Sequence, residues 1–486
     1  MADLVGLDEA RGRWVLAAAV LGSGMALLDA TVVNIALPRL GADLHASFAA
    51  LQWTVNGYTL SLAALILLGG SLGDRYGRRR VFVVGAVWFA TASLLCGVAP
   101  GVGYLVAARV LQGVGGALLT PGSLSLISAS FRPEDRGRAV GAWSGLGGLA
   151  AAVGPFLGGV LVEASWRWVF LLNLPLSAVV VAIAARHVPE SKDPQADPRL
   201  DVVGALLGAA GLGGTTYSLV AGGDSGLSAL VVTTAVAGLA GLVAFVLWER
   251  RSAHPMLPVD VFASRQFTAA NLVTFAVYAA LGGVFFLLVV DLQVVAGFSP
   301  LAAGTSLLPI TLCMLLLSSR SGALAQRIGP RLPMSAGPLL CAVGALLMLR
   351  IGPRASYVAD VLPAVVVFGL GLALTVAPLT ATALGAVSDR HAGVASGINN
   401  AVARAAGLLA VAVLPLAAGL SGDDYRDAVA FSRGFDIAVL VSAGLLVAGS
   451  LTAALTIRGG GAGAERRCER RSHCALDGPP VERTAR

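Results

Sequence analysis

The sequence predicts an all-α membrane protein of fourteen transmembrane helices, built as two six-helix bundles plus two inserted helices. Three observations predict it. Hydrophobic residues make up 56% of the 486 and charged residues only 13%. A soluble domain carries about 25% charged residues, so this chain could not cover a soluble surface, and it is too apolar for disorder. Fourteen apolar runs approach or exceed the roughly 20 residues that cross a bilayer. Basic residues are also sorted between alternate connections, as the positive-inside rule requires.

The first run, 14–37, follows Asp3, Asp8, Glu9, Arg11 and Arg13. That is not the basic head of a signal peptide, so the run reads as a retained helix. Further runs lie at 51–70, 81–99, 103–129, 139–161 and 168–185. Two more, at 202–221 and 227–248, precede runs at 267–290, 301–319, 332–351, 361–386, 393–420 and 435–457. With the N-terminus inside, 26 of the 34 cationic residues fall on the inner side and six on the outer side. The other two, Arg109 and Arg404, fall within helices. A wrong helix count would scramble this asymmetry. The expected organisation is a cytoplasmic N-terminus (1–13), a first bundle (14–187), a linker with two extra helices (188–266), a second bundle (267–457) and a disordered basic cytoplasmic tail (458–486).

An internal repeat supports the two bundles. The loop after the second run carries Gly70, Leu72, Gly73, Asp74, Arg75, Gly77 and Arg79. The loop after the tenth carries Gly322, Leu324, Ala325, Gln326, Arg327, Gly329 and Arg331 in the same spacing. Such repeats mark transporters built from two similar bundles. The loops are eight spans apart instead of six, which places the two inserted helices between them.

The loop residues Gly70, Leu72, Asp74, Arg75, Gly77, Arg78 and Arg79 match, without gaps, the signature loop of the major facilitator superfamily. Nearly the whole chain resembles that family's fourteen-helix drug:proton antiporter branch. The resemblance implies the major facilitator fold and a gating role for this loop in switching between inward and outward states. The fourth run is similar to the family's proton-translocation motif, centred on Arg109 and followed by Gln112, Gly113 and Gly115. The fifth carries Gly154, Pro155, Gly158 and Gly159, which resemble the antiporter motif. That pattern often begins with Gly four residues earlier, where this chain has Ala150. Asp29, Thr31, Asn34 and Pro38 in the first run, Trp166 to Pro175, and Gly397, Asn399, Asn400 and Arg404 are similar to segments of the same branch.

Depth supplies a separate argument. A mid-span ionisable residue costs about 2.5–3.5 kcal/mol on insertion scales and needs a partner or a cavity. Asp29 and Arg109 lie about 12 Å and about 9 Å below the same face at ~1.5 Å per residue. They are therefore expected at one level, facing the central cavity that the first and fourth helices line in the family fold. A carboxyl group balanced between apolar burial and a nearby cation can load a proton on one side and release it on the other. The alternative is a fixed structural ion pair. Asn34, Gln112, Asn400 and Arg404 are candidates for the substrate cavity. No acid lies deep in the last five runs, so a cationic drug finds few counter-charges beyond Asp29 and Asp291, which leans toward neutral, amphipathic or anionic substrates.

Other chemistry is not supported. Gly69, Ser71 and Gly73 fit the hydrolase elbow spacing but lack the strand before it. No phosphate-binding loop for ATP is present. Cys468 and Cys474 in the tail lack further ligands at workable spacing, so neither metal nor cofactor is expected. The expectation is a non-enzymatic, monomeric, multi-pass protein of the cytoplasmic membrane. It would exchange a drug or antibiotic for protons by alternating access, with no nucleic-acid partner. The alternatives are export of an endogenous metabolite and a non-transporting membrane sensor or scaffold.

Overall fold

A lipid environment offers the backbone no hydrogen bonds, so an apolar run must close its bonds within itself as a helix. The computed structural model describes residues 4–193, 200–387, 392–422 and 424–458, and it is helical apart from one bridge between Val5 and Phe131. The helices are α1 (Ala10–Asp43), α2 (Phe48–Tyr76), α3 (Arg78–Gly97), α4 (Val102–Ser130), α5 (Pro133–Ala164), α6 (Arg167–Leu171) and α7 (Asn173–His187). Then come α8 (Val202–Ser225), α9 (Ala229–Arg251), α10 (Arg265–Val294), α11 (Pro300–Ser306) and α12 (Leu308–Ile328). Last are α13 (Arg331–Leu347), α14 (Leu362–Gly385), α15 (Ala392–Ala417) and α16 (Ala428–Thr456). Among the described residues, 13 helical stretches are long and apolar enough to cross a membrane. The remaining predicted position, the fifth, is held by α5, whose described apolar part is Val153–Ala164. The sixth and tenth spans are each broken into a short and a long piece, α6 with α7 and α11 with α12. Large apolar side chains such as Leu239, Val243, Leu316 and Leu455 stand exposed and form the lipid-facing surface.

Helix ends differ from the apolar runs, because polar residues cap or extend a helix beyond its greasy centre. Asp427 accepts hydrogen bonds from the amides of Val429 and Ala430 and starts α16 well before residue 435. Asp436 therefore lies inside a helix instead of at its mouth. Most of the predicted tail, 459–486, lies outside the described residues, as do Arg199 and Arg390.

Helices α1–α7 pack chiefly among themselves, as do α10–α16. The two halves meet on the face that carries the loop between α1 and α2. There one apolar core runs unbroken from Val32, Phe48 and Trp166 into Phe286, Tyr425 and Phe431. A second core, around Tyr58, Phe82, Phe89 and Phe131, stays within the first half. The inserted helices pack on each other, and α8 also lies against α2 and α15, one from each half.

Candidate functional site

The site begins with a Gly-rich stretch of α4 that lets neighbours approach closely. A Cβ added at Gly115 would stand 2.8 Å from the backbone nitrogen of Phe89 on α3. This close packing sets Arg109 and Gln112, one turn apart on α4, against α1, α2, α3 and α7. Arg109 donates through Nη1 to Asp29 Oδ2 and, at 2.6 Å, to Gln112 Oε1. Its Nε donates to the carbonyl of Thr54 at 2.9 Å. Gln112 Nε2 donates to Asp29 Oδ1 and to Ser93 Oγ, both at 2.8 Å. Asn173 Nδ2 reaches the same two oxygens at 3.1 and 3.3 Å. The guanidinium lies 4.4 Å from the Tyr58 ring centroid and 5.7 Å from that of Phe170. Asp29 is 2% exposed and Arg109 1%.

Asp29 and Arg109 thus meet at one level, but not in the central cavity: they are enclosed inside the first half. The physical reason is the side of α1 that Asp29 occupies. Its partners come from α4 and α7. The opposite side of α1 faces the other half: the Ile35 carbonyl accepts from Gln293 on α10 at 3.1 Å. Gln112, expected in the substrate cavity, is fully buried and ties Asp29 to Ser93. Asn34 is half-buried on the seam side, about 140° around α1 from Asp29 at ~100° per residue. Asn400 is exposed and donates to its own helix at Ser396. Arg404 is half-buried near the middle of the span Val394–Ala417. Asp291 is buried, and neither of its carboxylate oxygens has a hydrogen-bond partner among the described residues. Ser93, Thr54 and the roles of Tyr58 and Asn173 escaped the sequence reading. A polar residue in an apolar run was the available signal for Ser93 and Asn173, but their facing was not readable.

The loop between α2 and α3 is built around Gly77, whose φ of +115° favours glycine. In the repeat, Gly329 plays the same part at +88°. Gly70, expected in the turn, instead lies inside α2 against Pro121 of α4. Asp74 accepts from Arg78 Nε at 2.8 Å across the break. Arg75 lies over the Tyr76 ring. The Arg79 amide donates to Glu190 Oε1 at 3.1 Å, and Arg79 Nη1 donates to the Val188 carbonyl at 3.2 Å. The loop is therefore clasped to the segment after α7, with Glu190 as a partner that the sequence reading missed. Gly77→Ala would force a Cβ to 2.7 Å from Glu190 Oε1 in a strained conformation. It is expected to cost about 1–3 kcal/mol, read as a lower unfolding temperature in detergent.

The helix 5 motif forms a seam. Gly154 packs on Thr31 and Gly158 on Val32 and Ile35, all of α1. Gly159 faces the other half: a Cβ there would stand 2.5 Å from the Leu301 Cα of α11, and Gly304 of α11 lies against the Pro155 carbonyl.

Comparison with known proteins follows from this arrangement. A family model described as Major Facilitator Superfamily matches residues 19–412. The chain is 38% identical over 415 residues to the probable actinorhodin transporter of Streptomyces coelicolor, covering 83% of this chain and 72% of that one. It is 38% identical over 411 residues to the puromycin resistance protein pur8 of Streptomyces alboniger, covering 84% and 82%. The crystal structure of PepTSo, a POT family transporter, superposes with a TM-score of 0.66 at 15% identity, over 95% of this chain and 99% of that one. This last likeness speaks to the fold alone.

Proposed function

The chain belongs to the Major Facilitator Superfamily, and from that premise we propose that it is a proton-coupled antiporter that exports drugs or antibiotics across the cytoplasmic membrane. Membership makes it a transporter of small molecules in a lipid bilayer and not an enzyme. The names of its relatives, one a transporter and one a resistance protein, support export over uptake.

The observation that carries proton coupling is the enclosed Asp29–Arg109 pair. Burying two charges is costly, and apolar residues of the same volume would often serve stability as well. In this reading a proton reaching Asp29 removes the charge that holds Arg109 Nη1. Arg109 is then held by Gln112, by the Thr54 carbonyl and by the Tyr58 ring. Thr54 and Tyr58 both belong to α2, which also meets α15 of the other half. Loss of the charge at Asp29 thereby changes the forces on a helix at the seam. With both termini inside, the sealed face is the outer one, and the chain stands closed to the outside. The motif of Gly70, Asp74, Arg75, Gly77, Arg78 and Arg79, which runs from the end of α2 across the turn into α3, makes α2, α3 and the segment after α7 move together. Gly154 and Gly158 hold α5 on α1, Pro155 and Gly159 supply the seam that opens, and Asn34, Asn400 and Arg404 serve the substrate path.

A second reading has one observation in its favour. Both Asp29 oxygens are satisfied, as a permanent brace would have them. Everted membrane vesicles separate the two. Addition of a transported antibiotic to energised vesicles is expected to release protons from the lumen, read by a pH-sensitive dye. Transport with no proton release refutes the coupling. Export of a metabolite of the producing cell instead of a foreign drug would appear as accumulation of that metabolite inside a deletion strain.

A further inference from the structure

Two arginines lie within the described spans at mid-depth, and their surroundings are opposite. Arg109 is locked by Asp29, Gln112 and Thr54. Arg404 has no ion pair or hydrogen bond among the described residues, although it sits mid-span on α15 and is half-buried.

Its position on α15 is fixed by its neighbours along the helix. Residues seven apart lie on nearly the same side, since two turns take about 7.2 residues. Gly397, seven before, lies against Leu67 of α2. Val411, seven after, accepts at its carbonyl from Gln52 Nε2 of α2 at 2.7 Å. Arg404 therefore faces α2 midway between these contacts, at the level of Tyr58. It stands near the phenols of Tyr58 on α2 and Tyr278 on α10. It thus stands where the two halves meet, and α8 packs on both α2 and α15 beside this seam. The buried acids of the spans lie elsewhere. Asp29 belongs to Arg109, and Asp291 is buried beside Asp436 of α16. The nearby amides are also taken: Asn399 donates to Asn271 Oδ1 and Thr274 Oγ1. An unpaired guanidinium at this depth is costly, and it presents a planar fork of donors suited to a carboxylate or other oxyanion.

We propose that Arg404 is the anion-binding residue of the substrate path, and that the exported molecules are amphipathic organic acids carrying a carboxylate or ionised phenol. The idea rests on the efflux reading above. The half-buried ring of Tyr278 would flank the apolar body of such a molecule, while Arg404 holds its charged end. Arg109 and Asp29, one ring away behind Tyr58, would then feel an anion enter or leave.

The test uses the full chain in proteoliposomes, with fluorescein as anionic probe and rhodamine 6G as cationic probe. Wild type is expected to move fluorescein saturably. In Arg404→Gln the ratio of fluorescein to rhodamine 6G rates should fall about tenfold or more, the size of one lost charge-assisted hydrogen bond. Arg404→Lys should hold the ratio within about threefold of wild type, because it keeps the charge but loses the fork. Arg404→Glu should reverse the preference. A structural role for Arg404 would lower both rates and leave the ratio unchanged, which overturns the proposal. Wild type that moves rhodamine 6G but not fluorescein also overturns it, while leaving the efflux reading standing. Transport of neither dye, with no proton release for any antibiotic in a panel, overturns both.

Discussion

Asp29→Asn is expected to abolish substrate-driven proton movement. The substitution keeps the shape of the side chain and its acceptor oxygen, but it leaves the Arg109 guanidinium buried without a counter-charge. Breaking a buried pair in this way costs about 3–5 kcal/mol, so the variant should also unfold at a lower temperature in detergent. Stability and coupling can be separated with the double variant Asp29→Asn, Arg109→Gln. With no charge left unpaired, it should regain much of the lost stability. It should not regain proton release, because no carboxylate remains in the cluster formed with Gln112, Ser93 and Asn173. Antibiotic susceptibility in an efflux-deficient host and dye-monitored proton release in vesicles read the two quantities independently. Wild-type proton-coupled export by Asp29→Asn at normal expression would make the pair a brace and nothing more.

Gly159→Ala is expected to prevent the sealed face from closing. The new methyl would stand 2.5 Å from the Cα of Leu301, and backbone cannot rotate out of the way as a side chain can. Overpacking of this kind costs about 1–3 kcal/mol, and a coupling energy of that size shifts a two-state balance by about 5- to 150-fold. The methyl lies between the halves and not within either, so each half should still fold. A cysteine placed at Phe48, in a background lacking the native cysteines, should become reactive to a water-soluble thiol reagent. Transport should fall in step. Gly304→Ala should behave likewise from the other half, since it would meet the Pro155 carbonyl. Unchanged labelling together with unchanged transport in both variants would show that the glycines do not set the seam.

The spans were legible because hydropathy is a local property. Each lipid-exposed helix must satisfy its own backbone, so a run of apolar residues carries its structure within itself. The loop repeat was legible for a similar reason: the positive φ at Gly77 and Gly329 needs glycine wherever the rest of the chain goes. Depth was legible too, since a constant rise per residue placed Asp29 and Arg109 at one level before any contact was known. Facing was not. In a membrane protein the lipid-facing side of a helix is as apolar as the packed side, so residue pattern does not say which side turns inward. That is why Asp29 was expected to face the cavity and is enclosed, and why Gln112 was expected to meet substrate and meets Asp29.

The amino-acid sequence by itself determined the all-α, multi-spanning fold, the duplicated loop and the charged pair at matching depth, all properties set within one or two turns of chain. The tertiary structure alone decided what surrounds them. It brought Asn173 to Asp29 and Ser93 to Gln112, Glu190 to the loop between α2 and α3, α8 to the seam between the halves, and left Arg404 facing α2 with no hydrogen bond or ion pair among the described residues. These contacts join residues far apart in the chain, and they depend on shape-matched glycines and packed side chains whose pairing no single segment encodes.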